Sequence, residues 1–265
     1  MSKTLLTREI ENFMLEINNL TKTYGANAKP SVDNLSLKVN DGEIFGFIGP
    51  NGAGKSTTIK CITGIVDFAD GNVLVDGIDI KQNPIEAKKR IGYVSDDHVM
   101  YEGLTGVEYI NFICDVFDVP QAERKERLDK YAELFSLTDA VKKQISTYSH
   151  GMKQKLNVIS ALIHEPKVWI LDEPMTGLDP RSAFNLKKLM REHADKGNCV
   201  FFSSHVLEVV EKVCDRVGII DDGKLITCCG IEELKERNQD KSLEELFLKL
   251  TDDLQNQASF GEKAE

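Results

Sequence analysis

Hydrophobic positions along this chain repeat in two ways. Leu15 and Ile17 alternate with polar neighbours, as do Leu35, Leu37 and Val39, and then Val73, Val75, Ile78 and Ile80, each run bounded by Asn, Asp or Gly. A period of two sends successive side chains to opposite faces, so these runs are predicted to be half-buried antiparallel strands. Residues 44–48, 168–171 and 200–202 are instead apolar almost throughout and lie next to helical patterns. Strands of a parallel sheet covered on both faces read this way, so the centre of the chain is expected to be α/β.

Between those strands, 106–117 and 121–135 are predicted helices separated by Pro120. The second carries Leu128, Tyr131, Ala132 and Phe135 at the spacing of one buried face. Together they suggest a helical subdomain of about residues 97–163 inserted between two sheet strands. A strand-turn-strand pattern follows at 217–227 with Asp222 and Gly223 at the turn, and Leu243, Leu246, Phe247 and Leu250 form a last amphipathic helix. Residues 1–13 read as a short extension, 14–250 as the folded domain and 251–265 as a polar tail without packed structure.

Composition narrows the function classes. A chain of 265 residues can bury a substantial core, and none of its apolar runs approaches the roughly 18–20 residues of a membrane span. Residues 1–10 mix Lys3, Arg8 and Glu9 without an apolar signal region, so the chain is expected to be neither secreted nor membrane-inserted by itself. A net charge of -10 argues against a general nucleic-acid binder, which needs a basic surface. The six cysteines are scattered, and the adjacent Cys228 and Cys229 lack the second pair or histidine spacing of a metal site, so a reducing compartment is the simpler reading.

Gly49-Pro50-Asn51-Gly52-Ala53-Gly54-Lys55-Ser56 fits G-x-x-x-x-G-K-[ST], follows the apolar strand 44–48 and opens a helix through Thr58, Ile59 and Ile62. The glycines let consecutive N–H groups turn toward a β-phosphate, and the helix N-terminus adds its positive dipole end. Lys55 is expected to neutralise phosphate oxygens, the Ser56 hydroxyl to reach Mg²⁺, and Thr57 to complete the cradle. A glycine-rich turn that happens to precede a lysine is the bland alternative. The strand before and helix after make it far rarer, so ATP binding is expected.

The apolar strand 168–171 ends in Asp172 and Glu173. Strand alternation points them different ways, giving Asp172 to the metal shell and Glu173 to the attacking water. Alone, such a pair would be a strand-end cap. With these two clusters in order, and five further elements, the chain resembles the ATP-binding cassette family over about residues 14–250. Tyr24 resembles the aromatic that stacks on adenine, Tyr148-Ser149-His150-Gly151-Met152-Lys153-Gln154 the signature motif, Gly177-Leu178-Asp179-Pro180 the loop after Walker B, and Ser203-Ser204-His205 the switch histidine. The glutamine-loop position follows Gly92-Tyr93-Val94 in altered form.

The resemblance implies a P-loop NTPase with a RecA-like parallel core, an N-terminal antiparallel β subdomain and an inserted helical subdomain. It implies that Glu173 and His205 are catalytic, that Ser149 and Gly151 bind the γ-phosphate held by a second nucleotide-binding subunit, and that a separate membrane permease does the transporting. Location on the inner face of the cell membrane follows from that partner. His150 and His164 receive no such role and are expected to be solvated or locally bonded. Two features depart from the common pattern: the signature lacks Ser-Gly-Gly-Gln, and Asp96 stands at the glutamine position, where it would still hold Mg²⁺ through water. The shorter, anionic side chain alternatively weakens coupling between the nucleotide and the helical subdomain. Softer similarity at 101–108 and 242–247 points to bacterial exporters. The surface around 99–105 is the expected contact for the permease. The rival readings are a soluble non-transport cassette and a regulatory cassette that binds ATP without turnover.

Overall fold

The computed structural model describes residues 13–25, 28–97, 99–237, 242–245 and 247. The alternating runs form an antiparallel sheet of β1 (Phe13–Lys22), β2 (Val32–Asn40), β4 (Asp70–Val75) and β5 (Ile78–Asp79), in the order β2-β1-β4-β5. β1 starts one residue inside the expected extension, at Phe13, whose ring covers the Lys38 ammonium at 4.1 Å. The run from Val73 to Ile80 is broken by a tight turn, because Asp76 and Gly77 both adopt positive φ, of 49° and 74°. Ile80 falls past the end of β5 but remains buried.

The continuous apolar runs build a six-stranded second sheet. It contains β3 (Ile44–Ile48), β6 (Ile91–Val94), β7 (Val168–Asp172), β8 (Cys199–Ser203), β9 (Arg216–Asp221) and β10 (Lys224–Gly230), ordered β10-β9-β3-β8-β7-β6. Every pairing is parallel except β9 with β10, the predicted hairpin, which closes one edge. All residues of β3, β7 and β8 are buried. Their two faces feed two cores: Phe45, Phe47, Ile170 and Phe201 pack toward the antiparallel sheet, while Ile44, Ile48, Trp169, Leu171, Val200 and Phe202 face the helical side. Phe201 stacks on Phe45 with ring centroids 5.7 Å apart.

The expected insert is present as α3 (Gly106–Val116), α4 (Gln121–Leu134) and α5 (His150–Leu162), with short 3₁₀ turns before α5. Thr105 and Glu108 close a reciprocal capping box that starts α3. The helix through the G-K-S segment is α1 (Lys55–Ile62). Among the described residues, four helices lie outside the segments read as helical above: α2 (Pro84–Lys89), α6 (Pro180–Asp195), α7 (Leu207–Val213) and α8 (Ile231–Arg237). Of the last predicted helix, Leu243, Glu244, Glu245 and Phe247 are helical, whereas Leu246, Leu250 and the tail 251–265 lie outside the described residues. Among the described residues, no helix is long and apolar enough to cross a membrane.

Candidate active site

The loop between β3 and α1 turns on itself at Gly54, whose φ of 104° puts it in the left-handed region. A Cβ there would fall 2.3 Å from the Ser31 carbonyl oxygen, so both conformation and space require glycine. The β9–β10 turn braces the loop from behind, since Gly223 N–H donates to Ala53 O at 2.9 Å, while Ala53 N–H closes back on Pro50 O at 3.2 Å. Gly49 approaches the Ile220 carbonyl so closely that a Cβ would lie 2.2 Å from it. The result is a stiff cradle that ends at the free N–H groups of the first turn of α1.

Lys55 is buried, and its ammonium donates to Gly49 O at 2.6 Å and Pro50 O at 3.1 Å. Burial lowers its pKa, and the charges of Glu173 and then Asp172 oppose that shift. Those carboxylates line the same cleft, of about 290 Å³, as Asn51, Gly52, Gly54, Ser56 and Thr57. Asp96 lines it too, although it lies in the loop after β6, which Asn157 of α5 anchors by a bond to Ser95 O at 3.2 Å. The donors meeting there are the Ser56 hydroxyl and the Asp172 and Asp96 carboxylates. An all-oxygen set of this kind fits Mg²⁺, which prefers one or two carboxylates completed by water and substrate phosphates.

β7 brings the two acidic residues to one cleft, but strand alternation does not separate them, because only Asp172 belongs to the strand. Asp172, 3% exposed, closes the strand, and Glu173 turns out of the ladder with a φ of 49°. At the end of β8, the Ser203 hydroxyl donates to Asp172 Oδ1 at 2.6 Å and accepts Glu173 N–H at 3.1 Å. His205 then reaches Glu173 Oε2 with its ring Nδ1 at 2.7 Å and its backbone N–H at 3.3 Å. A carboxylate only accepts, so Nδ1 carries the proton of that bond. A second cleft, of about 220 Å³, shares Asn51 with the first and is lined by Pro50, Ser204, His205 and Phe247.

Three predicted residues stay apart from this cleft. Tyr24 is half exposed, with the Lys22 ammonium 4.8 Å from its ring centroid. Ser149 and Gly151 sit at the start of α5, where the exposed Ser149 caps the helix by accepting Met152 N–H at 3.3 Å. This turn rests on the loop after β7: a Cβ on Gly151 would fall 2.6 Å from Gly177 O. Lys155 and Asp179 tie the same two segments at 2.7 Å, and the Lys155 bond, followed by those from Ser182, holds the Asp179 carboxyl well below the usual carboxylate range. Gln154 adds a buried bond to Pro174 O at 2.9 Å.

The remaining singled-out residues are local. His164 stacks on Phe117 at 3.8 Å and donates from Nε2 to Ile91 O at 3.0 Å; burial pushes its pKa down to about 4, so it is neutral. Cys228 Sγ takes an N–H from Arg216 at 3.1 Å. The pattern reading passed over Ser31, which lines the nucleotide cleft, and over Ser203 as anything beyond a strand end. A hydroxyl at the C-terminal end of a parallel strand, two residues before a candidate histidine, was the available signal for Ser203.

A parallel sheet whose strand ends converge on a glycine-wrapped lysine and two carboxylates defines a P-loop nucleoside triphosphatase. Residues 32–176 match the model of the family described as ABC transporter. The linearmycin resistance ATP-binding protein LnrL of Bacillus subtilis is 39% identical over 80% of this chain and 68% of that protein. The bacitracin transport ATP-binding protein BcrA of Bacillus licheniformis is 36% identical over 85% of this chain and 72% of its own length. A solved ATP-binding subunit of an ABC transporter superposes with a TM-score of 0.85 at 31% identity, covering 90% of this chain and 99% of that one. The chain belongs to the ABC transporter family and is its ATP-binding, ATP-hydrolysing subunit.

Proposed function

We propose that this subunit works as one half of a pair of cassettes that close head to tail over two ATP molecules and drive a separately encoded permease, in the export direction. The observation that carries the pairing is the position of Ser149 and Gly151. Their helix start presents the exposed Ser149 hydroxyl, yet neither residue lines the chain's own phosphate cleft. Such a turn suits a γ-phosphate held by another subunit, whether a second copy of this chain or a related cassette.

Within each composite site, the loop Gly49, Pro50, Asn51, Gly52, Ala53 and Gly54 wraps the phosphates with Lys55 and Thr57, and Tyr24 stacks on the base. Ser56 and Asp172 hold Mg²⁺, with Asp96 acting through water, and the ion supplies charge neutralisation for phosphoryl transfer. Glu173 orients the water and takes its proton, and His205 holds the Glu173 carboxylate in line. Because its Nδ1 is spent on Glu173, a bond from His205 to the γ-phosphate requires a proton on the other ring nitrogen.

Permease contact fits the surface beside the altered glutamine loop. Val99, Tyr101, Phe112 and Val116 are exposed, and Tyr101 meets Phe112 edge to face at 5.5 Å. A cleft of about 310 Å³ between core and insert opens next to them, lined by Ile65, Tyr109, Ile113 and Phe117. Glu102 in this loop forms an ion pair with Lys153 on α5, a direct link from that surface to the signature helix. The names of LnrL and BcrA, a resistance and a transport protein, favour export and a place on the inner face of the membrane.

Complementation between two dead variants tests the pairing. Lys55→Ala disables one chain's cradle and Gly151→Asp its signature, so either alone gives no functional composite site. A mixture forms dimers in which one site draws both intact halves, and turnover returns. A mixture as inactive as its parents would reject pairing of two copies.

A further inference from the structure

We infer that Ser203 is a positioning residue of the hydrolytic site, one hydroxyl that orients the Asp172 carboxylate and the Glu173 backbone together and so sets the Mg²⁺ requirement of turnover. The inference rests on the roles given above to Asp172 and Glu173. Its geometry comes from where two strands stop. β7 and β8 pair in parallel up to Asp172 opposite Ser203, and β3 places Phe47 opposite Ser203 on the other side. Ser203 is therefore locked in the sheet interior with no exposed surface.

A serine hydroxyl has one proton and two lone pairs, and both kinds of capacity are used here. The proton goes to Asp172 Oδ1 at 2.6 Å, and a lone pair takes Glu173 N–H at 3.1 Å. Glu173 needs that acceptor because its left-handed φ of 49° turns its amide out of the β7–β8 ladder. On the Asp172 side, the bond uses one lone pair of Oδ1 and fixes the carboxylate plane, which sets how its oxygens meet the metal shell. Two residues further on, His205 holds the Glu173 carboxylate from the same strand end. Residues 203–205 thus clamp the acidic pair at three points, and the first of these acts on both residues.

Alanine at 203 would fill nearly the same volume but leave a buried carboxylate oxygen and a part-buried N–H without this partner. Cysteine keeps the shape with a weak donor, and threonine keeps the hydroxyl. The test measures Mg²⁺ half-saturation of ATPase activity, and separately the fluorescence of trinitrophenyl-ATP titrated with Mg²⁺ or with EDTA. Ser203→Ala and Ser203→Cys are expected to raise the Mg²⁺ half-saturation about tenfold, the loss of one bond to a charged group. They should weaken trinitrophenyl-ATP binding in Mg²⁺ while leaving it unchanged in EDTA, and Ser203→Thr should restore the Mg²⁺ response. Thermal melts qualify each variant, and the near-isosteric cysteine carries the test if alanine does not fold. Wild-type Mg²⁺ half-saturation in a folded alanine or cysteine variant overturns the inference, as does equal weakening in Mg²⁺ and EDTA. Glu173→Gln, measured alongside, reports on the acidic pair itself: if it turns over at the wild-type rate, the site reading fails whatever Ser203 does.

Discussion

Replacing Glu173 with glutamine removes one negative charge and almost nothing else. The side chain keeps its length, and its amide oxygen can still accept the His205 bonds made at 2.7 and 3.3 Å. Stability should therefore change by less than about 1 kcal/mol. Catalysis loses two things. The link to His205 becomes a neutral bond, roughly half as strong as the charge-assisted one, a loss of about 1 kcal/mol and so somewhat under tenfold in rate. The site also loses its proton acceptor, an effect of about 10²–10⁴-fold on its own. Together these predict turnover down by about 10³-fold or more, with ATP binding retained because the cradle and Lys55 remain in place. Phosphate release under saturating Mg·ATP gives the rate, and light scattering after gel filtration in ATP gives the assembly state, expected to shift to a stable dimer. A variant that kept even a tenth of wild-type turnover would refute the role given to Glu173, and one that lost activity together with its melting transition would refute the claim of an isosteric change.

Two further outcomes concern stability. Glu43 is 5% exposed and accepts from Arg216 at 3.0 Å and from the Asn40 backbone and side-chain amide at 2.6 and 2.8 Å, so Glu43→Ala takes the acceptor from three donor groups; about 2–3 kcal/mol should be lost, discounted for the partly exposed arginine, and a urea melt will show it as a lower midpoint with unchanged slope. His164 and His193 are both pushed down to about 4 by burial from an unfolded value of 6.5, so between those values the unfolded chain binds more protons. Their contribution is complete above the unfolded value and is lost as pH falls toward 4; His193→Leu should flatten the fall in urea-melt stability between pH 6.5 and 4 by about one proton's worth, and an unchanged slope would show that the ring is not held neutral.

What the sequence determined by itself was the part of the short-range structure that leaves an unbroken mark in residue type. The continuous apolar runs at 44–48, 168–171 and 200–202 became β3, β7 and β8 within a residue of their limits, because a strand buried on both faces has no polar position to interrupt it. The G-K-S loop was equally legible: its glycines are dictated by backbone conformation and close approach at Gly54 and Gly49, which leave a direct mark in residue type. Helices such as α6 were harder to see, since its start is a cap, Asp179 followed by Pro180, embedded in a motif with another use. The hairpin at Asp76 and Gly77 was hidden inside an alternation that runs through it.

Only the tertiary structure decided which distant residues share a cleft. Asp96 follows β6, Ser56 opens α1 and Asp172 ends β7, and they converge because the sheet order places those strand ends on one side. The same order sets Ser203 against Asp172, a contact over 31 residues that no local pattern encodes. It also leaves Ser149 and Gly151 outside the lining of the chain's own phosphate cleft. Local physics writes strands, turns and caps into the residues one by one, whereas a composite site depends on strand order and register, which are properties of the whole sheet.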